Sequence, residues 1–244
     1  MNKREELLAR LMNFLAEKFK NQLVLKGGML LRLLNSPRET RDLDYAWIRT
    51  KKRNLFAQEI KSALETLDGI QVPGVQANSR GIFIEVADKS SDQTARIEIS
   101  VAESFSRPPQ PMTTASLSQP YSLKPQVVAT MDLAEALSNK IAASIERNQI
   151  RDLYDLMLME PLTPFDEATL RLRLSKIEIG RSKPKQITPR EATEILTQRM
   201  QSLTGERIQE LTALIPDQSL QGMELIIKAS LSRIIQKIEI LGES

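Results

Sequence analysis

The 244-residue sequence contains no cysteine and no histidine. Without cysteine the chain can form neither a disulfide nor a thiolate metal site. Without histidine it cannot use Ser-His-Asp or Cys-His catalysis, and it cannot bind zinc through imidazole. Any metal ion must therefore be held by oxygen ligands, which favours Mg²⁺, Mn²⁺ or Ca²⁺.

The sequence also lacks long apolar runs and has few aromatic residues. Hydrophobic residues make up 41% of the chain but aromatic residues only 4%, so the core must be mainly aliphatic. No stretch approaches the roughly 20 apolar residues of a membrane span, and the charged N-terminus is not followed by a signal-peptide run. We expect a soluble, cytoplasmic protein without a membrane partner. The net charge of +3 permits nucleic-acid binding without requiring it.

The pattern of apolar residues divides the chain into two parts. Residues 1–162 alternate between helical and strand patterns, whereas residues 163–244 show only helical ones. The predicted fold is α+β, with a small mixed sheet and flanking helices in the first domain and an all-helical second domain. Pro73 and Gly74 are interpreted as loop residues, and residues 104–125 as a long loop with at most one short strand.

Three carboxylates in the first part are candidate metal ligands. Asp42 and Asp44 are two residues apart at a predicted strand, so their side chains share one face. Glu98 lies in the middle of another predicted strand, where acidic residues are disfavoured. If the strands are neighbours, the three carboxylates suit one or two Mg²⁺ ions. The alternatives are a solvated strand end for the aspartates and an ordinary ion pair between Glu98 and Arg96.

A glycine pair, Gly27 and Gly28, separates a predicted strand from a short predicted helix. Glycine lets the backbone approach a ligand closely, and the N–H groups at a helix start can bind phosphate. The alternative is a plain turn. The pair followed by the two aspartates predicts a phosphate site beside a metal site.

Basic residues of the segment near residue 140 form a second candidate region. Lys140, Arg147 and Arg151 would share one face if the helix from Asp132 ran on, and we predict that Lys140 and Arg147 contact nucleotide phosphates. The alternative is a solvated basic face. Asp152 and Asp155 could instead serve as ion-pair partners of these arginines.

Four stretches together resemble the AbiEii family of nucleotidyltransferase toxins, which belongs to the DNA polymerase β-like superfamily. The stretches, which span about residues 20–160, are LKGGMLLRLL, RETRDLDYAW, RIEIS and LSNKIAASIERNQIRDLYDLM. The resemblance implies a toxin of a type IV toxin–antitoxin or abortive-infection system. It implies an enzyme that transfers a nucleoside monophosphate from an NTP to RNA, with the tRNA 3′ end as the expected acceptor, and so blocks translation.

The resemblance also implies roles for individual residues and partners. The Mg²⁺ or Mn²⁺ ions would be bound by Asp42, Asp44 and Glu98, which are catalytic together with Lys140 and Asp152, and the triphosphate would be lined by Gly27 and Gly28. Some members have serine where this chain has Gly28, and aspartate is frequent at the position of Glu98. The expected partners are an NTP, tRNA and an antitoxin encoded alongside, which need not bind stably. An enzyme that modifies a protein or a small molecule stays an alternative, as does a silent binding module, although the presence of all three carboxylates argues against the latter.

Overall fold

The computed structural model describes residues 2–178, 183–215 and 220–242. The chain forms two compact units, Met1–Met131 and Asp132–Ser244. The first unit contains a seven-stranded mixed sheet with helices, and the described part of the second is helical apart from one isolated bridge between Ile177 and Lys185. The predicted α+β class with C-terminal helices is confirmed, and the predicted boundary near residue 162 stays a prediction.

The sheet of the first unit has the strand order β3-β4-β5-β2-β1-β7-β6. Strands β2 and β5 run parallel to each other, as do β1 and β7, and the remaining neighbours are antiparallel. The strands are β1 Val24–Lys26, β2 Asp42–Ile48, β3 Ile70–Asn78, β4 Gly81–Asp88, β5 Gln93–Ala102, β6 Gln110–Thr113 and β7 Val127–Thr130. The helices of this unit are α1 Lys3–Phe19, α2 Gly27–Leu33, α3 Arg53–Leu64 and α4 Ala115–Ser118.

The two faces of the sheet differ in chemistry because side chains alternate along each strand. One face carries Leu43, Tyr45 and Trp47 of β2, which pack into the core with α1 and α3. The other face, here called the polar face, carries half-buried or exposed residues, among them Asp42, Asp44, Phe83, Arg96 and Glu98. The apolar face thus fixes which way the acidic residues point.

Two expectations about local structure were wrong. Pro73 and Gly74 lie inside β3, which is an edge strand with a register shift between Gln71 and Gly74. An edge strand tolerates proline because it needs only one row of hydrogen bonds, and a bulge absorbs the misfit. The long loop predicted for residues 104–125 also contains α4 besides the one expected strand.

The second unit contains six α-helices among the residues that the structure describes. Several of them begin at a capping residue: the Asp132 carboxylate accepts from the Ala134 N–H, and Thr188 forms a capping box with Glu191. None of the helices in the described residues is long and apolar enough to cross a membrane. The helices are α5 Leu133–Glu146, α6 Ile150–Met159, α7 Glu167–Leu174, α8 Pro189–Gln201, α9 Gly205–Gln209 and α10 Met223–Gly242.

Candidate active site

The acidic residues of the first unit meet because β2 and β5 are parallel neighbours. Asp44 is the register partner of Glu98, and Asp42 is the partner of Arg96. On its other side Asp44 is paired with Lys26 of β1. Lys26, Asp44 and Glu98 therefore form a row across three strands, with about 4.8 Å between neighbouring strands. The condition on which the predicted carboxylate cluster depended, that the two strands are neighbours, is met.

The pKa of Glu98 shows that the negative charges of the three carboxylates repel one another. Burial raises the pKa of Glu98, and the negative charges of Asp44 and Asp42 raise it further, while Arg96 and Lys26 oppose the shift. Glu98 also forms the ion pair that was the alternative interpretation, since its Oε1 lies 3.1 Å from Arg96 Nε. A cation that binds near the three acids would relieve the repulsion.

The oxygen atoms of Asp42, Asp44 and Glu98 are suitable ligands for a divalent ion, although the three side chains do not converge on one point. Carboxylate oxygens are the ligands that Mg²⁺ and Mn²⁺ prefer. The three carboxylates lie near each other on the neighbouring strands β2 and β5. Within the described ranges 2–178, 183–215 and 220–242, no three acidic side chains are grouped so that they could hold a metal ion as they stand. Glu98 is turned toward Arg96 instead.

Gly27 explains how the backbone comes so close to the acidic row. It is the first residue of α2 and has a φ of +69°, a conformation that side chains rarely adopt. A Cβ at this position would lie 2.2 Å from Asp44 Oδ2. The glycine therefore lets the start of α2 pack directly against the Asp44 carboxylate.

Gly28 brings in two residues that sequence reasoning did not select. A Cβ at Gly28 would lie 2.6 Å from Arg38 Nη2 and 2.7 Å from Thr40 Oγ1. A guanidinium and a hydroxyl thus occupy the space that a side chain at position 28 would enter. The sequence could have pointed to Arg38 and Thr40, because both precede Asp42 in the stretch RETRDLDYAW.

The candidate residues of the second unit form a separate cluster built on buried aspartates. Lys140 Nζ lies 2.6 Å from Asp155 Oδ2 and 3.6 Å from Asp152 Oδ1. Arg147 binds Asp152 through two hydrogen bonds of 2.7 and 3.0 Å. Both aspartate side chains are fully buried. The predicted role of Asp155 as an ion-pair partner is present, although its partner is Lys140.

The continuous basic face depended on the helix from Asp132 running on past residue 146, and that condition is not met because α5 ends at Glu146. Arg147 has extended backbone angles, φ −141° and ψ 143°, and its side chain turns back to Asp152 at the start of α6. The solvated-face alternative does not describe Lys140 either, since only 16% of its side chain is exposed. Asp152 thus pairs with both Lys140 and Arg147, and the catalytic role predicted for it stays a prediction.

Replacing Arg147 by alanine is expected to destabilise the second unit by roughly 1–3 kcal/mol, because buried Asp152 would lose two charged hydrogen bonds. Arg151→Ala is the matched control. Arg151 is an exposed neighbour on the same segment, and we expect a change within about 0.5 kcal/mol there. Chemical denaturation of both variants measures the difference. Equal stability of the two variants would contradict a structural role for Arg147.

Comparisons with known proteins find one matching family and several solved structures with a similar fold. The model of the nucleotidyl transferase AbiEii toxin family, a type IV toxin–antitoxin system, matches residues 8–222. Among curated proteins, none matches the chain. JHP933 from Helicobacter pylori is 18% identical, has a TM-score of 0.55, and the match covers 99% of this chain and 94% of that one. The nucleotidyltransferase toxin MenT4 from Mycobacterium tuberculosis is 17% identical with a TM-score of 0.61, and 98% and 86% of the two chains are covered. At these identities the structures show a shared fold.

Proposed function

Because the chain belongs to the AbiEii family of nucleotidyl transferase toxins of type IV toxin–antitoxin systems, we propose that it transfers a nucleoside monophosphate from an NTP to the 3′ end of tRNA. The reaction would depend on Mg²⁺ or Mn²⁺ and would block translation. Nucleotidyltransferase activity and membership of a toxin–antitoxin system follow from the family. The acceptor, the metal and the roles of individual residues are the proposed part.

One observation carries the proposal: the register that places Asp44 beside Glu98, with the glycine start of α2 against Asp44. A solvated sheet face does not need a glycine whose missing Cβ leaves room for a carboxylate. A site for a metal-bound triphosphate does need a close backbone approach beside acidic ligands. The arrangement therefore supports catalysis rather than a silent binding module.

In the proposed reaction, an oxygen of the acceptor hydroxyl attacks the α-phosphorus of the NTP. The bond from that phosphorus to the bridging oxygen breaks, pyrophosphate leaves with the electron pair, and the proton of the hydroxyl passes to solvent water. Asp42, Asp44 and Glu98 would hold the divalent ion, which when bound supplies charge neutralisation and lowers the pKa of the hydroxyl. Glu98, at the side of the row away from Lys26, would orient the acceptor.

The cationic and hydroxyl groups of the chain would bind the phosphates. Gly27 and Gly28 give the triphosphate access to the backbone at the start of α2, and Arg38 and Thr40 can donate to its oxygens in place of the missing serine. For Lys140 we propose the nucleotide contact that the family resemblance implies, with Asp152 and Asp155 positioning its ammonium group. Arg147, through its hydrogen bonds to Asp152, would help to hold Asp152 in position beside Lys140.

The expected partner besides the NTP and tRNA is an antitoxin, as membership of a toxin–antitoxin system implies. We propose that it need not bind the toxin stably.

The experiment that tests the function is transfer of label from each of the four α-³²P NTPs, with Mg²⁺, into total RNA or total protein. We expect label in the tRNA fraction with one preferred NTP, removed by EDTA. Label found only in protein would show that the acceptor is a protein and not RNA. No transfer with any NTP, together with unchanged growth arrest by an Asp44→Ala variant, would rule out both catalytic interpretations.

A further inference from the structure

An aromatic ring lies beside the acidic row on the polar face. Phe83 of β4 is the register partner of Glu98, so it extends the row by one strand beyond the carboxylates. The guanidinium carbon of Arg96 lies 5.0 Å from the centroid of the Phe83 ring. Arg96 also pairs with Glu98 at 3.1 Å. Ring, guanidinium and carboxylate thus form one contiguous group.

Phe83 is not placed there by the hydrophobic core. Its chain neighbours Ile82 and Ile84 point to the other face and are fully buried, whereas Phe83 is only partly buried. Core aromatics pack with each other instead: Trp47 stacks on Phe56 with their ring centroids 4.3 Å apart. A phenylalanine that is only partly buried on a polar sheet face is therefore not explained by core packing.

The position of this group suits the base of a nucleotide whose hydroxyl is at Glu98. Neighbouring strands are about 4.8 Å apart, so Phe83 lies one strand from Glu98 and two from Asp44. One ribose separates a terminal hydroxyl from its base. Unpaired RNA bases stack on aromatic rings and on the plane of an arginine guanidinium, and half of the Arg96 side chain is exposed.

We propose that Phe83 and Arg96 form the platform on which the terminal base of the RNA acceptor stacks, so that the acceptor is an unpaired 3′ end. This inference rests on the proposed function, since it assigns Glu98 to the acceptor side. Stacking requires a free base face, which excludes a base inside a duplex. It also tolerates any base, because every base has a π-face. The platform selects single-stranded ends rather than a sequence.

The kinetic test compares Phe83→Leu, which removes the ring, with Phe83→Tyr, which keeps it. With Phe83→Leu the KM for an RNA ending in an unpaired 3′ tail rises roughly 5- to 160-fold, the range for stacking of one base. The KM for the NTP and the kcat at saturating RNA stay within about threefold, as expected for loss of ground-state binding. Phe83→Tyr restores the wild-type KM. Leu55→Ala, at a 60% exposed position of α3, is the control. A larger change in the KM for the NTP than for the RNA would overturn the assignment to the acceptor.

A binding measurement separates this inference from the proposed function. Fluorescence anisotropy follows a short labelled single-stranded RNA without NTP, and thermal melts confirm that each variant is folded. Weaker binding by Phe83→Leu, but not by Leu55→Ala, supports the platform. Equal binding by the wild type and Phe83→Leu overturns it, even if transfer to RNA occurs. Absence of transfer by the wild type would contradict the proposed function. The binding result would still show whether Phe83 contributes to RNA binding.

Discussion

Asp44→Asn is expected to reduce nucleotide transfer by about 1,000-fold while the protein stays folded. Asparagine keeps the size of the side chain but removes a negative charge from the centre of the row. Loss of one preorganised electrostatic group in an active site typically costs about 100- to 1,000-fold, and a lost metal ligand also weakens ion binding. Stability should be unchanged or higher, because the negative charge of Asp44 contributes to the raised pKa of Glu98.

Single-turnover transfer of labelled nucleotide and a thermal melt measure these two effects on the same sample. Asp92→Asn is the matched control, since Asp92 is an exposed residue of the β4–β5 turn with a φ of +51°. Asparagine tolerates that conformation, so activity and stability should both be retained. If the Asp44→Asn variant keeps more than a tenth of wild-type transfer, Asp44 is not a ligand of the metal ion.

Gly27→Ala is expected to lower transfer about 100-fold and to destabilise the first unit by roughly 1–3 kcal/mol. The added Cβ would lie 2.2 Å from Asp44 Oδ2 and 2.9 Å from its Cβ, so Asp44 or the start of α2 must move. The φ of +69° adds backbone strain for any residue other than glycine. A displacement of a catalytic group by about 1 Å is enough for a loss of this size.

Gly222→Ala separates the two causes of that effect. Gly222 has a similar φ of +74°, but a Cβ there would meet no atom within 4 Å. It should show only the backbone strain, with full transfer activity. Denaturation curves and initial transfer rates of both variants make the comparison. If both glycine variants keep wild-type rates, the contact between Gly27 and Asp44 has no part in catalysis.

Local signals in the sequence were sufficient for much of the fold and for the type of site. Helical spacing predicted helices over residues 3–20, 132–146 and 150–159, which are α1, α5 and α6 in the structure, and alternation predicted β2 and β5. The absence of cysteine and histidine restricted any metal ligands to oxygen. These features depend on neighbours a few residues apart, so the sequence contains them directly.

Some errors of sequence reading have the same physical origin. Pro73 and Gly74 read as a loop, but the edge position of β3 accommodates them. A basic face shared by Lys140 and Arg147 required the helix from Asp132 to run on, but Arg147 leaves α5 to bind Asp152. In each case a tertiary partner outweighed local preference, because pairing of a strand edge or a buried charge is worth more than backbone propensity.

The sequence by itself determined the ligand chemistry, the family and the faces on which Asp42, Asp44 and Glu98 lie. Only the tertiary structure decided that Asp44 has Glu98 on one side and Lys26 on the other, and that Phe83 follows Glu98 in the row. Strand order and register come from packing of the apolar face across segments far apart in the chain. Since no local spacing encodes those contacts, no reading of local pattern could have supplied them.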